Sequence, residues 1–238
     1  MRRSTVTLVL VLGLTLAGCG AGSTRGFSRA DSTTADPTSQ GALVFQGNYS
    51  DPSQQWPTSS DKTRSVSSSD DTYTVNFSSA GSFDASPTIA TVQPEDLVDL
   101  SVSVSIKPVS TRSGDRFGVS CRAIQGHAYA FLVGPRSAGQ LAWSIELRQP
   151  GGVRQLASGT TSSPGESPYV VRGDCVEGGQ NHKPVVLALY LDDNLVGQAR
   201  DANLPAPYIG RPGLSVSSAD GGTRVDFSNF QARTASAT

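Results

Sequence analysis

The feature that most constrains the fold of this chain is an alternation of apolar and polar side chains that recurs from residue 42 onward. Between residues 100 and 106, leucine, valine and isoleucine occupy every second position and serines lie between them. A period of two predicts a strand with one face in a core and the other in water. The same alternation occurs at 117–123 and 141–147, and similar runs lie at 73–77, 185–191 and 223–230.

Turn residues separate these runs. The chain contains 25 glycines and 14 prolines, and Asp192-Asp193-Asn194 and Gly151-Gly152 are typical of hairpin turns. After residue 42 no helical periodicity extends over ten residues. We therefore predict an all-β chain whose strands form an antiparallel two-sheet β-sandwich, a jelly roll, over residues 41–233, followed by a short tail at 234–238.

The first nineteen residues carry a targeting pattern. Arg2 and Arg3 precede an apolar stretch at 6–16, which is too short to span a bilayer but long enough for the core of a signal peptide. The stretch ends in Leu-Ala-Gly-Cys at Cys19, which resembles the lipobox of bacterial lipoproteins. The resemblance implies a signal peptide at 1–18 and an acylated, diacylglycerol-bearing Cys19 that holds the protein in the cell membrane on its extracytoplasmic side. An ordinary cleaved signal and a free secreted protein are the alternative.

Residues 19–40 predict a flexible tether. They are mostly small and polar, with Phe27 as the one large apolar side chain, and as a coil they would extend roughly 25 Å. Without Arg2 and Arg3 the chain has seventeen basic and twenty acidic residues, a formal balance of −3, and no basic stripe. This charge pattern argues against nucleic acid as a partner and against electrostatic membrane binding.

Two further cysteines, Cys121 and Cys175, predict a disulfide, because exported domains commonly pair their thiols. The bond would close a loop of 54 positions, worth roughly 4 kcal/mol in the chain-entropy model. Two buried free thiols are the alternative. A metal site is disfavoured because no histidines lie at a finger-like spacing from these cysteines.

Several short sequences in the second half of the chain carry a resemblance to a known family. They are Phe117-Gly118-Val119-Ser120-Cys121-Arg122, Tyr129-Ala130-Phe131, Trp143-Ser144-Ile145, Cys175, the run at 187–194, Pro212-Gly213-Leu214 and the run at 225–230. In this order they resemble the concanavalin A-like, laminin-G-like jelly rolls of extracellular bacterial proteins. The resemblance implies that these strands build the sandwich core, and it favours binding of a carbohydrate or an envelope ligand by analogy of fold.

No residue set in the sequence predicts a catalytic centre. His127 and His182 lie in predicted turns or loops without a nucleophile, and no nucleophile elbow or zinc-protease motif occurs. Jelly-roll glucanases need paired carboxylates, but their Glu-x-Asp-x-x-Glu string is absent and Glu146 stands alone on its strand. Glu95, Asp96 and Asp99 lie at a strand entry. A carboxylate pair joined across two strands stays open, so a sugar-derivative hydrolase is the alternative to a non-catalytic binding module, and a protein-binding structural or signalling accessory is the second alternative.

The alternation also predicts a face that could bind a ligand. If Cys121 and Ile145 point into the core, then Arg122, Ser144, Glu146 and Arg148 point outward with donors and acceptors suited to a hydroxyl-rich ligand. The alternative is that Arg122 and Glu146 form an ion pair on a solvated sheet face. Trp56, in a polar loop, is the tryptophan available to stack on a ligand, unless it fills the edge of the core.

We expect no cofactor, with calcium as the one candidate. Hard cations need six or more oxygen ligands, and nothing here has the spacing of an EF-hand. Turn propensity alone accounts for the acidic and amide residues that could serve. Those residues are Asp192, Asp193, Asn194, Asp201 and Asp220.

Overall fold

The structure, a computed structural model, describes residues 37–89, 97–137, 139–165, 167–178, 184–202 and 210–238. Outside the described residues lie the predicted signal peptide, Cys19, the tether up to residue 36, Glu95, Asp96 and His182. Within the described ranges there is no helix with the length and apolar character needed to cross a membrane.

Most of the described residues lie in strands, which turns and short loops connect. A short 3-10 turn lies at Pro52–Gln54. The strands are β1 (Thr38–Gln46), β2 (Ser59–Ser60), β3 (Arg64–Ser69), β4 (Thr72–Phe77), β5 (Gly81–Ala85), β6 (Leu100–Ser110), β7 (Arg116–Ile124), β8 (His127–Ser137), β9 (Gln140–Gln149), β10 (Gly152–Ser162), β11 (Tyr169–Glu177), β12 (Val185–Leu191), β13 (Asn194–Asp201), β14 (Arg211–Ser218) and β15 (Thr223–Ala237).

The strands form two antiparallel sheets that pack as a sandwich, so the predicted fold class is confirmed. The nine-stranded sheet has the order β13-β12-β11-β6-β15-β4-β3-β2, with β1 paired to β15. The six-stranded sheet has the order β10-β9-β8-β7-β14-β5. Asp192 and Asp193 take positive φ values of 46° and 61° in the tight turn between β12 and β13, as the predicted hairpin requires.

The strands extend beyond the predicted limits of the sandwich at both ends. Thr38 pairs with Ala237, so residues assigned to the tether and to the tail form one antiparallel ribbon. The Thr38 hydroxyl donates to Asp174 at 2.7 Å and lies 2.9 Å from the Tyr190 hydroxyl. Because these residues are small and polar and do not alternate with apolar ones, the sequence pattern does not predict that Thr38 is buried.

The core lies between the inner faces of the two sheets. Phe117 and Phe131 of the six-stranded sheet, and Ile106 and Phe227 of the nine-stranded sheet, are fully buried there. The hydrophobic effect is the main force that stabilises such a core. The predicted disulfide is confirmed: Cys121 on β7 and Cys175 on β11 join the two sheets, with their Cα atoms 6.5 Å apart.

The residues considered for calcium do not come together. Asp201 is buried and accepts hydrogen bonds from the Tyr129 hydroxyl at 3.1 Å and from Arg154 at 2.7 Å. Asp220 instead lies 3.3 Å from Arg112. The parts of the chain that the structure describes hold no group of three or more histidine, cysteine, aspartate or glutamate side chains placed to bind a metal ion. The other three candidates, Asp192, Asp193 and Asn194, belong to the β12–β13 turn.

Candidate functional site

The outer face of the six-stranded sheet has small side chains in its middle and charged ones at its flanks. Strand register places Asp84 beside Ser215, Ser215 beside Gly118, and Gly118 beside Leu132 and then Ser144. The next rows run from Gly213 through Ser120 and Ala130 to Glu146, and from Ala128 to Arg148.

An ion pair crosses this face. Arg148 of β9 places its Nη1 atom 2.5 Å from Oδ1 of Asp84 on β5, although β8, β7 and β14 lie between the two strands. In a flat sheet these strands would be about 19 Å apart, further than the two side chains can reach together. The sheet is therefore strongly concave on this side, and the Arg148–Asp84 bridge spans the concavity.

The bridge and the curvature explain why the middle of this face is buried. Ser120, Ala130 and Ser215 are at most 1% exposed, although they point away from the hydrophobic core. Their side chains are short, so the longer residues at the flanks close over them. The face is a groove whose floor consists of small residues and Leu132 and whose walls are charged.

Polar contacts organise both ends of the bridge. Ser215 donates a hydrogen bond to Asp84, and Ser144 donates one to Glu146 at 2.8 Å. Glu146 in turn lies 3.8 Å from Nε of Arg148. Burial lowers the pKa of the neighbouring Arg116, and the charge of Glu146 opposes that shift. The arrangement presents hydrogen-bond donors and acceptors side by side.

A pocket of about 500 Å³ opens next to the bridge, at the end of the groove where the β7–β8 turn lies. The turn residues Gln125 and Gly126 take positive φ values of 49° and 78°, which lets the chain reverse tightly beside the pocket. The pocket combines an apolar surface from Leu97, Ala123, Ile124 and Ala128 with polar side chains from Asp84, Ser86, Gln125, His127, Arg148 and Arg211.

Three of the five predicted face residues lie together and two do not. Ser144, Glu146 and Arg148 are on the groove wall, whereas Arg122 is fully buried. A bulge between Cys121 and Ile124, with Arg122 at φ 54°, interrupts the alternation and turns the side chain away from the expected face. The prediction that Arg122 faces solvent is therefore wrong, and Arg122 forms no ion pair with Glu146.

Arg122 instead fastens β7 to the other sheet. Its Nε donates to the backbone oxygen of Val98 at 3.0 Å, and its Nη2 lies 3.5 Å from Asp99 and 3.8 Å from Glu177. Burial lowers the pKa of Arg122, while the charges of Glu177 and Asp99 oppose that shift. This arginine is a structural residue.

Trp56 is also buried, so the prediction that it is available to contact a ligand is wrong. Its ring packs 4.8 Å from Tyr49, 5.3 Å from Tyr73 and 5.1 Å from Phe230, measured between ring centroids. Its Nε1 donates to the side chain of Gln54 at 3.2 Å. Trp56 therefore fills the edge of the core, which was the alternative considered for it.

No pattern in the sequence predicts that Asp84, Ser215 or Arg211 belongs to the site. Asp84 lies on the edge strand β5, more than sixty positions from Arg148, and the two meet only because the sheet curves. Arg211 lies two positions before Gly213 and four before Ser215, so all three side-chain positions are on the same face of β14. Only the strand order could have brought these residues together.

Comparison with known proteins supports the fold. No protein-family model matches the chain, and no curated protein matches it. Among solved structures, the carbohydrate-binding module CBM66 from Bacillus subtilis is similar, with a TM-score of 0.53 at 14% identity, covering 75% of this chain and 95% of that one. A Bacillus subtilis protein of unknown function with a galectin-like fold has a TM-score of 0.54 at 10% identity, covering 83% and 98%.

A longer protein also contains a similar domain. The Bacteroides ovatus protein described as xyloglucan PUL GH43B has a TM-score of 0.50 at 13% identity, and the match covers 84% of this chain but 40% of that one. At these identities the similarity establishes a shared β-sandwich fold and nothing about the residues of a site.

Proposed function

We propose that this protein is a glycan-binding module without catalytic activity, and that its ligand lies in the groove and pocket beside the Arg148–Asp84 bridge. The observation that carries the proposal is the bridge itself, a charged donor and a charged acceptor held together across a concave face. Pockets with an apolar lining and a few convergent polar groups are the usual binding sites of proteins. The similarity to a carbohydrate-binding module supports the choice of ligand class.

The chemistry of the site suits a sugar. Neighbouring hydroxyls of a sugar ring donate and accept hydrogen bonds, and the Arg148 guanidinium and the Asp84 carboxylate offer the complementary groups. Charged partners make hydrogen bonds roughly twice as strong as neutral ones. The apolar part of the pocket, from Leu97, Ile124 and Ala128, can cover the C–H face of the same ring.

We expect Arg148→Ala and Asp84→Asn each to weaken glycan binding by at least about tenfold, because each removes a charged hydrogen-bond partner of the ligand. A glycan array and a cell-wall pulldown with the purified protein identify the ligand, and calorimetry then measures the variants. Arg200→Ala, an exposed change on the nine-stranded sheet, is the matched control and should bind normally. Failure of the unaltered protein to bind any glycan or wall fraction would contradict the proposal.

A hydrolase acting on a sugar derivative is the second candidate, and one observation favours it. Asp84 and Glu146 both lie within 4 Å of the Arg148 guanidinium, so their separation is no larger than the roughly 9 Å found between the carboxylates of glycosidases. Against it, the guanidinium occupies the space that the scissile bond and a water molecule would need. Release of reducing sugar from glycans of the same array, lost in Glu146→Gln, would favour hydrolysis over binding.

A protein-binding accessory has less support. Docking surfaces of that kind present contiguous apolar patches of several hundred Å². The large apolar side chains exposed among the described residues lie singly on five different strands, β1, β6, β7, β10 and β11. They are Leu43, Val109, Ile124, Val153 and Val170.

We also propose that Cys19 carries the lipid anchor that its lipobox-like sequence predicts. The described chain begins near Thr38, which contacts Asp174 on the outer side of the nine-stranded sheet, opposite the groove. A tether that joins there is attached to the domain on the side opposite the groove. The expected result is that Cys19→Ala moves the protein from the membrane fraction to the soluble fraction, measured by cell fractionation. An unchanged distribution would count against the anchor.

A further inference from the structure

One cation at the pocket has no counter-charge in the part of the chain that the structure describes. Arg211 is exposed, lines the pocket and shares the outer face with Gly213 and Ser215. Among the residues that the structure describes, no carboxylate forms an ion pair with it. Asp84, the acidic residue of the same pocket, is already matched by Arg148 and by the hydroxyl of Ser215. Of the described residues that line the pocket, Arg211 therefore carries a charge that no described carboxylate matches.

Two buried polar groups on the same face have no hydrogen-bond partner within the described chain. They are Oγ of Ser120, a residue 1% exposed, and Nε of Arg148, a residue 9% exposed. Both can donate a hydrogen bond. Leaving a buried donor unsatisfied costs about 1–3 kcal/mol, so unsatisfied groups in a native protein call for an explanation. For Arg148, which lines the pocket, a ligand that supplies acceptor oxygens is such an explanation.

The hydroxyls converge where the chain lacks a side chain. A Cβ atom added to Gly213 would lie 2.7 Å from Oγ of Ser86 and 2.9 Å from Oγ of Ser120. Ser86 also lines the pocket. The same Cβ atom would lie 2.4 Å from the backbone oxygen of Ala85, so the close packing of β14 on its neighbours requires glycine here and brings the two hydroxyls near each other, two residues after Arg211.

We infer that the pocket selects a sugar unit with an anionic substituent, a carboxylate as in a uronic acid, which Arg211 binds at the rim while the sugar hydroxyls reach Arg148 and Ser86. The inference rests on the proposed function and narrows its ligand to acidic glycans. Arginine suits this role because its planar guanidinium forms paired hydrogen bonds with a carboxylate. The negative charge of the carboxylate balances the positive charge of Arg211. Its oxygens can accept a hydrogen bond from Nε of Arg148, which has no partner within the described chain.

The test uses pairs of ligands that differ in charge and by one methyl group. The probes are short oligosaccharides of glucuronic, galacturonic, mannuronic and iduronic acid, each compared with its neutral methyl ester by calorimetry on the purified protein. At least one acid is expected to bind about ten- to a hundredfold more tightly than its ester, as for a charge-assisted hydrogen bond. Arg211→Gln should bring the affinity for the acid down to that for its ester, while Arg200→Gln, the matched control on the other sheet, should keep the preference.

The outcomes separate this inference from the proposed function. If the protein binds neutral glycans or the esters as tightly as the acids, the preference for an anion is wrong and the glycan-binding function stands. If an acid is preferred but Arg211→Gln retains the preference, the assignment to this pocket is wrong. If no glycan binds, acidic or neutral, both the proposed function and the inference fall.

Discussion

A variant with both Cys121 and Cys175 replaced by alanine is expected to lose about 4 kcal/mol of its free energy of unfolding. The disulfide closes a loop of 54 positions, and in the chain-entropy model the open chain gains that much conformational freedom when unfolded. Both cysteines are fully buried and alanine leaves a small void, which adds to the loss. Thermal denaturation should show a midpoint lower by roughly 8 to 16 °C in a domain of this size.

Two controls isolate the bond from other effects. Cys19→Ala replaces the cysteine that takes no part in the bond and lies outside the predicted sandwich, so the thermal midpoint should not move. A reductant should lower the midpoint of the unaltered protein towards that of the double variant and leave the double variant unchanged. A double variant as stable as the parent would mean that the disulfide does not stabilise the native sandwich.

Most of the fold could be predicted from the alternation of apolar and polar residues. In β6 and β9, each second residue is apolar and lies in the core, so the strands could be placed to within a few residues. The hairpin at Asp192 and Asp193 was equally clear, because aspartate and asparagine tolerate positive φ. By contrast, β1 and the end of β15 are mostly exposed and non-alternating, so their pairing could not be predicted.

The candidate site was predictable only along one strand. Ser144, Glu146 and Arg148 follow from alternation on β9, but their partner Asp84 depends on strand order and on curvature. Arg122 was misplaced because a single extra residue in a bulge reverses which face a side chain takes. A local sequence pattern predicts which face of its strand a side chain occupies. A site on a sheet also depends on which strands lie next to one another, and the local pattern does not show this.

The chemistry of the groove depends on the same long-range assembly. Small residues on β7, β8 and β14 are unremarkable in sequence, yet they form the floor that lets Arg148 reach Asp84. A larger side chain in the middle of that floor would fill the groove. The proposed binding function is thus a property of the curved sheet as much as of its charged residues.

Replacing Phe131 by alanine is expected to lower the free energy of unfolding by about 3 to 5 kcal/mol, the usual cost of removing a buried phenylalanine ring. Phe131 is fully buried on β8, and its ring lies directly over Gly173 of β11 in the opposite sheet. Chemical denaturation measures the loss. Phe45→Ala, at a half-buried ring on β1, is the matched control and should cost clearly less.

The contact between Phe131 and Gly173 also predicts how two changes combine. A methyl group at Gly173 would overlap the Phe131 ring, so Gly173→Ala alone should destabilise the protein by about 1 to 3 kcal/mol through overpacking. In the Phe131→Ala background the ring is gone and the added methyl group partly fills the cavity. Gly173→Ala should then be neutral or stabilising, a coupling of the size expected for residues in contact. If the two losses simply add, the ring does not pack against this glycine, and the proposed alignment of the two sheets is wrong.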